Sequence, residues 1–217
     1  MLVISKKICM IGDFSVGKTS LIRRYMDNQF SDQYLTTVGV KISRKLMAIP
    51  QSSLTNASEI CLESNKQLGH NLPNIATNVQ NGNMPNNSQN NAQNNVQNTN
   101  LQMLIWDLEG STKFQGIVPT YLQGASGALV VADIMRLSTI ENLKSHVELF
   151  CSINPHSPIV IVLNKSDLCL EETRTNLILD VKKKMYQNIL SVLHTSAKED
   201  VGVTEAFKIL ANYIVKP

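Results

Sequence analysis

Apolar residues recur along this chain in two alternating periods. Short apolar, strand-like runs occupy Leu2–Ile11, Val38–Ile49, Leu101–Trp106, Gly127–Asp133, Pro158–Asn164 and Ile189–Thr195. Runs of that length read as strands, and their uniform apolarity reads as burial on both faces. Between most of them lie stretches with apolar positions three and four apart, the spacing of an amphipathic helix: Lys18–Asp27, Thr112–Leu122, Thr139–Cys151, Glu172–Tyr186 and Thr204–Val215. Strand followed by helix, repeated, predicts an α/β fold with a mostly parallel sheet and helices on both faces. Val38–Ile49 and Leu101–Trp106 have no helical pattern between them. They are expected to pair as a hairpin, giving the sheet one antiparallel edge strand.

One region breaks the pattern. Positions 71–100 hold 13 Asn, and no Asp, Glu, Lys or Arg occurs from Gln67 to Trp106. This composition predicts a low-complexity, disordered tract. Removing residues 50–100 leaves 166 of the 217 residues, a comfortable size for one domain. The tract therefore reads as an insertion within a single domain spanning 1–217. Growing a turn to that length costs only about 2 kcal/mol of loop-closure entropy.

Composition narrows the classes. The chain is 43% hydrophobic and 17% charged with net charge +3, which fits a packed core and is too mild to argue for nucleic acid or a membrane surface; no nucleic-acid partner is expected. Cys9, Cys61, Cys151 and Cys169 show no metal-ligand spacing, so a reducing, cytoplasmic setting is expected. No apolar run approaches the length of a membrane span, Leu2 excludes myristoylation, and no cysteine stands near the C-terminus for prenylation. No direct lipid anchor is expected.

The first strand runs into Gly12-Asp13-Phe14-Ser15-Val16-Gly17-Lys18-Thr19. This fits G-x-x-x-x-G-K-[ST], placed after a strand and opening a helix. The glycines allow the tight turn in which successive backbone N–H groups face a β-phosphate. Lys18 is the point charge for the β- and γ-phosphates, and Thr19 the hydroxyl for Mg²⁺. Ser20, next in the helix, is counted with the nucleotide-binding residues.

Asn164-Lys165-Ser166-Asp167 follows the fifth strand at its carboxyl end, where ligands bind in open α/β sheets. The Asp167 carboxylate suits the paired N1–H and N2–H₂ donors of guanine, which adenine lacks. Asn164 is placed either to bind the base edge or to tie the pocket loops together, and the stem of Lys165 to lie on the base face. After the last strand, Ser196-Ala197-Lys198 offers the Ala197 N–H to guanine O6.

With these motifs the chain resembles the small GTPases of the Ras superfamily, most nearly the Rab branch. The resemblance runs through GDFSVGKT (Gly12–Thr19), TVGV (Thr37–Val40), WDLEG (Trp106–Gly110), YLQGA (Tyr121–Ala125), NKSD (Asn164–Asp167) and TSAK (Thr195–Lys198). It implies a three-layer P-loop G domain with a six-stranded sheet, binding GTP or GDP with Mg²⁺. It implies that Thr37 reaches Mg²⁺ in the GTP state and that Asp107 holds Mg²⁺ through a water. Gly110 would offer its N–H to the γ-phosphate, Phe30 would stand beside the base, and Tyr34 near the γ-phosphate. Two switch loops would follow the γ-phosphate and engage effector proteins, with exchange and activating factors as further partners. The Asn-rich tract, joining two edge strands, is not expected to touch the nucleotide.

Two departures bear on turnover. Efficient members of the family carry Gln directly after the WDxxG glycine, to orient the attacking water. Here that position is Ser111, too short to reach the same water, with Glu109, two residues earlier, as the candidate substitute. Phe14 puts a bulky ring where the family often has a small residue. Lys18 and Ser111 are thus the catalytic positions, and slow hydrolysis is expected. The competing expectation is a GTP-loaded binding module with negligible hydrolysis. An ATP-using P-loop kinase or transporter subunit is opposed by Asp167.

Overall fold

The structure is a computed structural model; it describes residues 3–31, 37, 39–50, 99–108, 118–184 and 188–216. Six strands form one sheet: β1 (Val3–Ile11), β2 (Val40–Ile49), β3 (Thr99–Leu108), β4 (Gly127–Asp133), β5 (Ile159–Asn164) and β6 (Ile189–His194). Their order across the sheet is β2-β3-β1-β4-β5-β6. All neighbours are parallel except β2 with β3, which pair antiparallel from Val40↔Leu108 to Ile49↔Thr99. The hairpin predicted between the second and third runs is therefore present. β3 is longer than its apolar run at both ends, where Thr99 and Asn100 pair with Ile49 and Ala48, and Asp107 and Leu108 with Lys41 and Val40.

The helices are α1 (Lys18–Asp27), α2 (Val118–Leu122), α3 (Leu137–Glu141), α4 (Leu143–Ile153), α5 (Glu171–Lys184) and α6 (Val203–Ile214). The predicted Thr112–Leu122 helix is seen over α2, and residues 109–117 lie outside the described residues. The Thr139–Cys151 pattern resolves into two helices that meet at Asn142, and it begins two residues early.

β4 and β5 are buried along their whole length, as the uniform apolar runs required. Two apolar clusters cover the two faces of the sheet. One joins Leu21, Ile22 and Tyr25 of α1 to Ala206, Phe207 and Leu210 of α6, with Tyr25 and Phe207 stacked at 4.0 Å. The other packs Leu122, Leu143, Val147, Phe150 and Val181 from α2, α4 and α5. The α6 positions recur at three and four residues, so one stripe is buried. Each large side chain buried there contributes about 1.5–3 kcal/mol.

This topology fixes where a ligand can sit. β1 is central, with β3 on one side and β4 on the other, and the connections leave it in opposite directions. The crevice at its carboxyl end is the switch point of the sheet. β2 and β3 meet the 51–98 segment at the Ile49↔Thr99 end, opposite Asp107.

Candidate functional site

The loop leaving β1 is fixed by close approach. A Cβ on Gly12 would lie 2.1 Å from the Val131 carbonyl oxygen, and one on Gly17 would lie 2.3 Å from Asn164 Nδ2. Both have positive φ, +143° and +96°, so glycine is required twice over. Lys18, only 7% exposed, donates from Nζ to the carbonyl oxygens of Gly12 and Asp13 at 2.7 and 2.8 Å. Gly17 stands at the N-terminus of α1 in a left-handed conformation, and the N–H groups of a helix's first turn face outward at the end where an anion binds.

Beside the loop, three oxygen-bearing side chains converge. The hydroxyls of Thr19 and Thr37 share a 2.8 Å hydrogen bond. Thr19 Oγ1 donates to Asp107 Oδ2 at 2.5 Å, and Thr37 Oγ1 lies 3.3 Å from the same atom. Asp107 is 2% exposed, and among the described residues its Oδ1 has no hydrogen-bond partner. Burial pushes its carboxyl above the ordinary carboxylate range, with the Thr19 hydroxyl and Lys18 pulling the other way. A buried carboxylate with an unpartnered oxygen, flanked by two hydroxyls, is the hard-oxygen set that suits Mg²⁺. The residues present therefore fit the ion. Among the described residues no cluster of His, Cys, Asp and Glu forms a metal cage.

The third part lies at the ends of β5 and β6. Asn164, 1% exposed, donates from Nδ2 to the Val16 carbonyl at 2.9 Å and accepts from Thr195 Oγ1 at 3.0 Å. Through these two bonds the side chain links the β1, β5 and β6 loops, the geometry of the tying role, one of the two open in the sequence. Ser196 Oγ donates to Asp167 Oδ1 at 2.6 Å and accepts from the Glu199 N–H at 3.0 Å, which orients the Asp167 carboxylate. Arg24 holds the last loop by donating to the Ala197 and Lys198 carbonyls at 2.8 and 2.9 Å. Lys165 takes a left-handed φ of +66° and donates to Asp133 Oδ2 at 2.7 Å. Lys165, the Met135 N–H and Arg136 together hold the Asp133 carboxyl below the ordinary range, against its burial.

The geometry thus brings Gly12–Thr19, Thr37, Asp107, Asn164–Asp167 and Ser196–Lys198 to one end of the sheet. Phe30 is half buried against the α1–α6 cluster, the packing of a residue just past a helix end. Tyr34, Gly110 and Ser111 lie outside the described residues. Sequence reading missed Arg24, Asp133 and Arg136.

Known proteins decide the family. Residues 83–216 match the Ras family. The chain belongs to the Ras family. Its earlier part, residues 7–64, also matches Roc, the Ras of Complex domain of DAPkinase. The chain is similar to Ras-related protein Rab-11B of Dictyostelium discoideum, at 29% identity over 96% of this chain and 73% of the relative. It is similar to Rab-1C of the same organism, at 27% over 97% of this chain and 81% of the relative. It is likewise similar to RABA6a of Arabidopsis thaliana, at 29% over 96% of this chain and 69% of the relative. It is a Rab-like small GTPase of the Ras superfamily, a GTP-binding switch of trafficking or signalling. Ras-family switches bind guanine nucleotide, and the six-stranded sheet with one antiparallel strand is their fold. No helix among the described residues is long and apolar enough to cross a membrane.

Proposed function

We propose that this chain, one domain interrupted by the 50–100 insertion, binds GTP and GDP with Mg²⁺ at the β1 crevice and hydrolyses GTP slowly. The observation that carries the reading is the convergence of Thr19, Thr37 and Asp107 around a buried, unpartnered oxygen beside the phosphate loop. The backbone N–H groups of residues 13–19 cradle the phosphates and Lys18 neutralises them. Thr19, Thr37 and Asp107 would hold Mg²⁺, which supplies charge neutralisation on the phosphate oxygens when bound. Asp167, oriented by Ser196, reads the guanine edge. The N–H of Ala197 meets the base carbonyl, and the Lys165 stem lies along the base. Phe30 and Tyr34 flank the nucleotide, and Gly110 contacts the γ-phosphate.

The switch follows from the contacts of Thr37 and Gly110, which exist only while a γ-phosphate is present. Its loss releases both loops and the effector proteins they engage. Exchange and activating factors act on the same loops.

Ser111 in place of glutamine favours slow turnover. Ras hydrolyses GTP unaided at a few times 10⁻⁴ s⁻¹ with glutamine in place, and a rate of about 10⁻⁴ s⁻¹ or lower is expected here. Single-turnover hydrolysis of bound GTP, followed by chromatography of the nucleotide, tests this. GDP appearing over hours identifies a cycling switch. A rate well above about 10⁻³ s⁻¹ that is unchanged in Ser111→Ala refutes the limiting role of this position. The second reading, a permanently GTP-loaded binding module, is favoured by Ser111 together with Phe14; it requires GTP to remain intact over the same period.

A further inference from the structure

We propose that Arg136, Asn142 and His146, which follow β4, form an outer brace on the phosphate loop and set the rate at which bound nucleotide leaves. The inference rests on the nucleotide reading above and adds residues that no nucleotide motif contains.

The brace acts on two consecutive loop residues. Arg136 donates from Nη2 to the Phe14 carbonyl oxygen at 2.8 Å. The same guanidinium donates from Nε to Asp133 Oδ2 at 3.0 Å. Asp133 is a fixed post: its side chain is nearly buried and also receives Lys165 Nζ and the Met135 N–H. One residue earlier, the Asp13 carboxylate is held at both oxygens. Asn142 Nδ2 donates to Oδ2 at 2.8 Å, and His146 Nε2 lies 2.8 Å from Oδ1. A carboxylate only accepts, so Nε2 carries the proton in this contact.

These contacts decide which way the loop's backbone groups point. The Phe14–Ser15 peptide is planar and trans. Holding its carbonyl toward Arg136 turns the Ser15 N–H the opposite way, to the side that receives phosphate oxygens. Ser15 adopts φ +64°, a left-handed conformation that a non-glycine residue keeps only when its surroundings enforce it. Asp13 adds a second constraint. A free carboxylate in a phosphate loop repels the ligand, and here both of its oxygens are drawn off toward the start of α4. On the inner side Lys18 and Asn164 hold the Gly12, Asp13 and Val16 carbonyls. Loss of the Arg136 contact weakens the hold on the Phe14 carbonyl and lowers the barrier to a flip of the Phe14–Ser15 peptide, which removes one N–H donor from the bound phosphate. Such a change shows in the dissociation rate more than in the association rate.

The test is dissociation of a fluorescent N-methylanthraniloyl GDP from the full chain in Mg²⁺, chased with excess GDP. Arg136→Ala and His146→Ala are each expected to speed release fivefold or more, with association within twofold of wild type. Arg136 is 42% exposed at its side chain and His146 24%, so both variants are expected to melt close to wild type. His146→Gln keeps a donor near the position of Nε2 and is expected to restore release to within twofold of wild type. Arg136→Lys keeps the charge but lacks the fork that spans Asp133 and Phe14, and is expected to remain fast. The proposal is overturned if both alanine variants release GDP within twofold of the wild-type rate, or if His146→Gln is as fast as His146→Ala. Wild type that takes up no labelled GDP overturns the nucleotide reading itself, and this inference with it.

Discussion

Replacing Asn164 with alanine separates a structural tie from a base contact. In the structure its side chain makes two buried hydrogen bonds, to the Val16 carbonyl and from the Thr195 hydroxyl. The substitution leaves both partners without their bond. Each such buried group costs about 1–3 kcal/mol. Water entering the space recovers part of this, so a net loss of about 2–4 kcal/mol is expected. For a domain of this size, about 2–4 °C per kcal/mol places the melting temperature roughly 5–15 °C below wild type. The Val16–Gly17 peptide also loses its restraint, so GDP release should quicken by about tenfold or more, equivalent to about 1.4 kcal/mol. Thr195→Val removes one of the two bonds and should cost about half as much. Because the bonds share Asn164, the double variant should be less destabilised than the sum of the singles. Thermal melting without nucleotide, together with GDP dissociation, checks the set. A melting temperature within 2 °C of wild type would refute the tying role and return Asn164 to the base edge.

Three further outcomes follow from the same geometry. Gly12→Ala should destabilise by at least about 3 kcal/mol, since its Cβ meets the Val131 backbone oxygen at 2.1 Å; an unchanged urea midpoint would contradict the close approach. Chelating Mg²⁺ with EDTA should speed GDP release from wild type by tenfold or more and have a smaller effect on Thr19→Ala, measured by the same fluorescent chase. At high pH, burial pushes the Cys9 thiol and the Tyr25 phenol up to about 12 each. The folded state therefore favours their neutral forms. Stability should be level below about pH 9 and fall as the pH rises toward 12, with Cys9 accounting for up to about 4 kcal/mol. Urea unfolding at pH 8 and pH 11 tests this, and Cys9→Ala should flatten the early part of the fall.

The parts of this molecule that were legible in its sequence are those whose chemistry is carried by neighbours along the chain. Gly12, Gly17, Lys18 and Thr19 lie within eight residues, and their spacing alone demands a strand, a tight loop and a helix start. The buried strands β4 and β5 matched their apolar runs to within a residue because burial on both faces keeps their interiors uniformly apolar. Legibility fell where a role depends on distant partners. Arg24 reaches Ala197, and Arg136 reaches Phe14, across more than 100 residues. Nothing in the local pattern of either arginine distinguishes it from a solvated surface charge. His146 looked like one more residue of an amphipathic helix until the fold set it against Asp13. The helix break at Asn142 was hidden for the same reason, since apolar spacing continues across it.

The central claim is that the crevice at the end of β1 holds a guanine nucleotide with Mg²⁺. The most direct measurement is competition for N-methylanthraniloyl GDP bound to the full chain in Mg²⁺. GDP and GTP should displace the label at stoichiometric concentration. ATP should fail at a thousandfold excess, because adenine leaves the Asp167 carboxylate without its paired donors, a mismatch that polar sites reject by about 10⁴–10⁵. Displacement by ATP as readily as by GTP, or the absence of any bound label, would contradict the account.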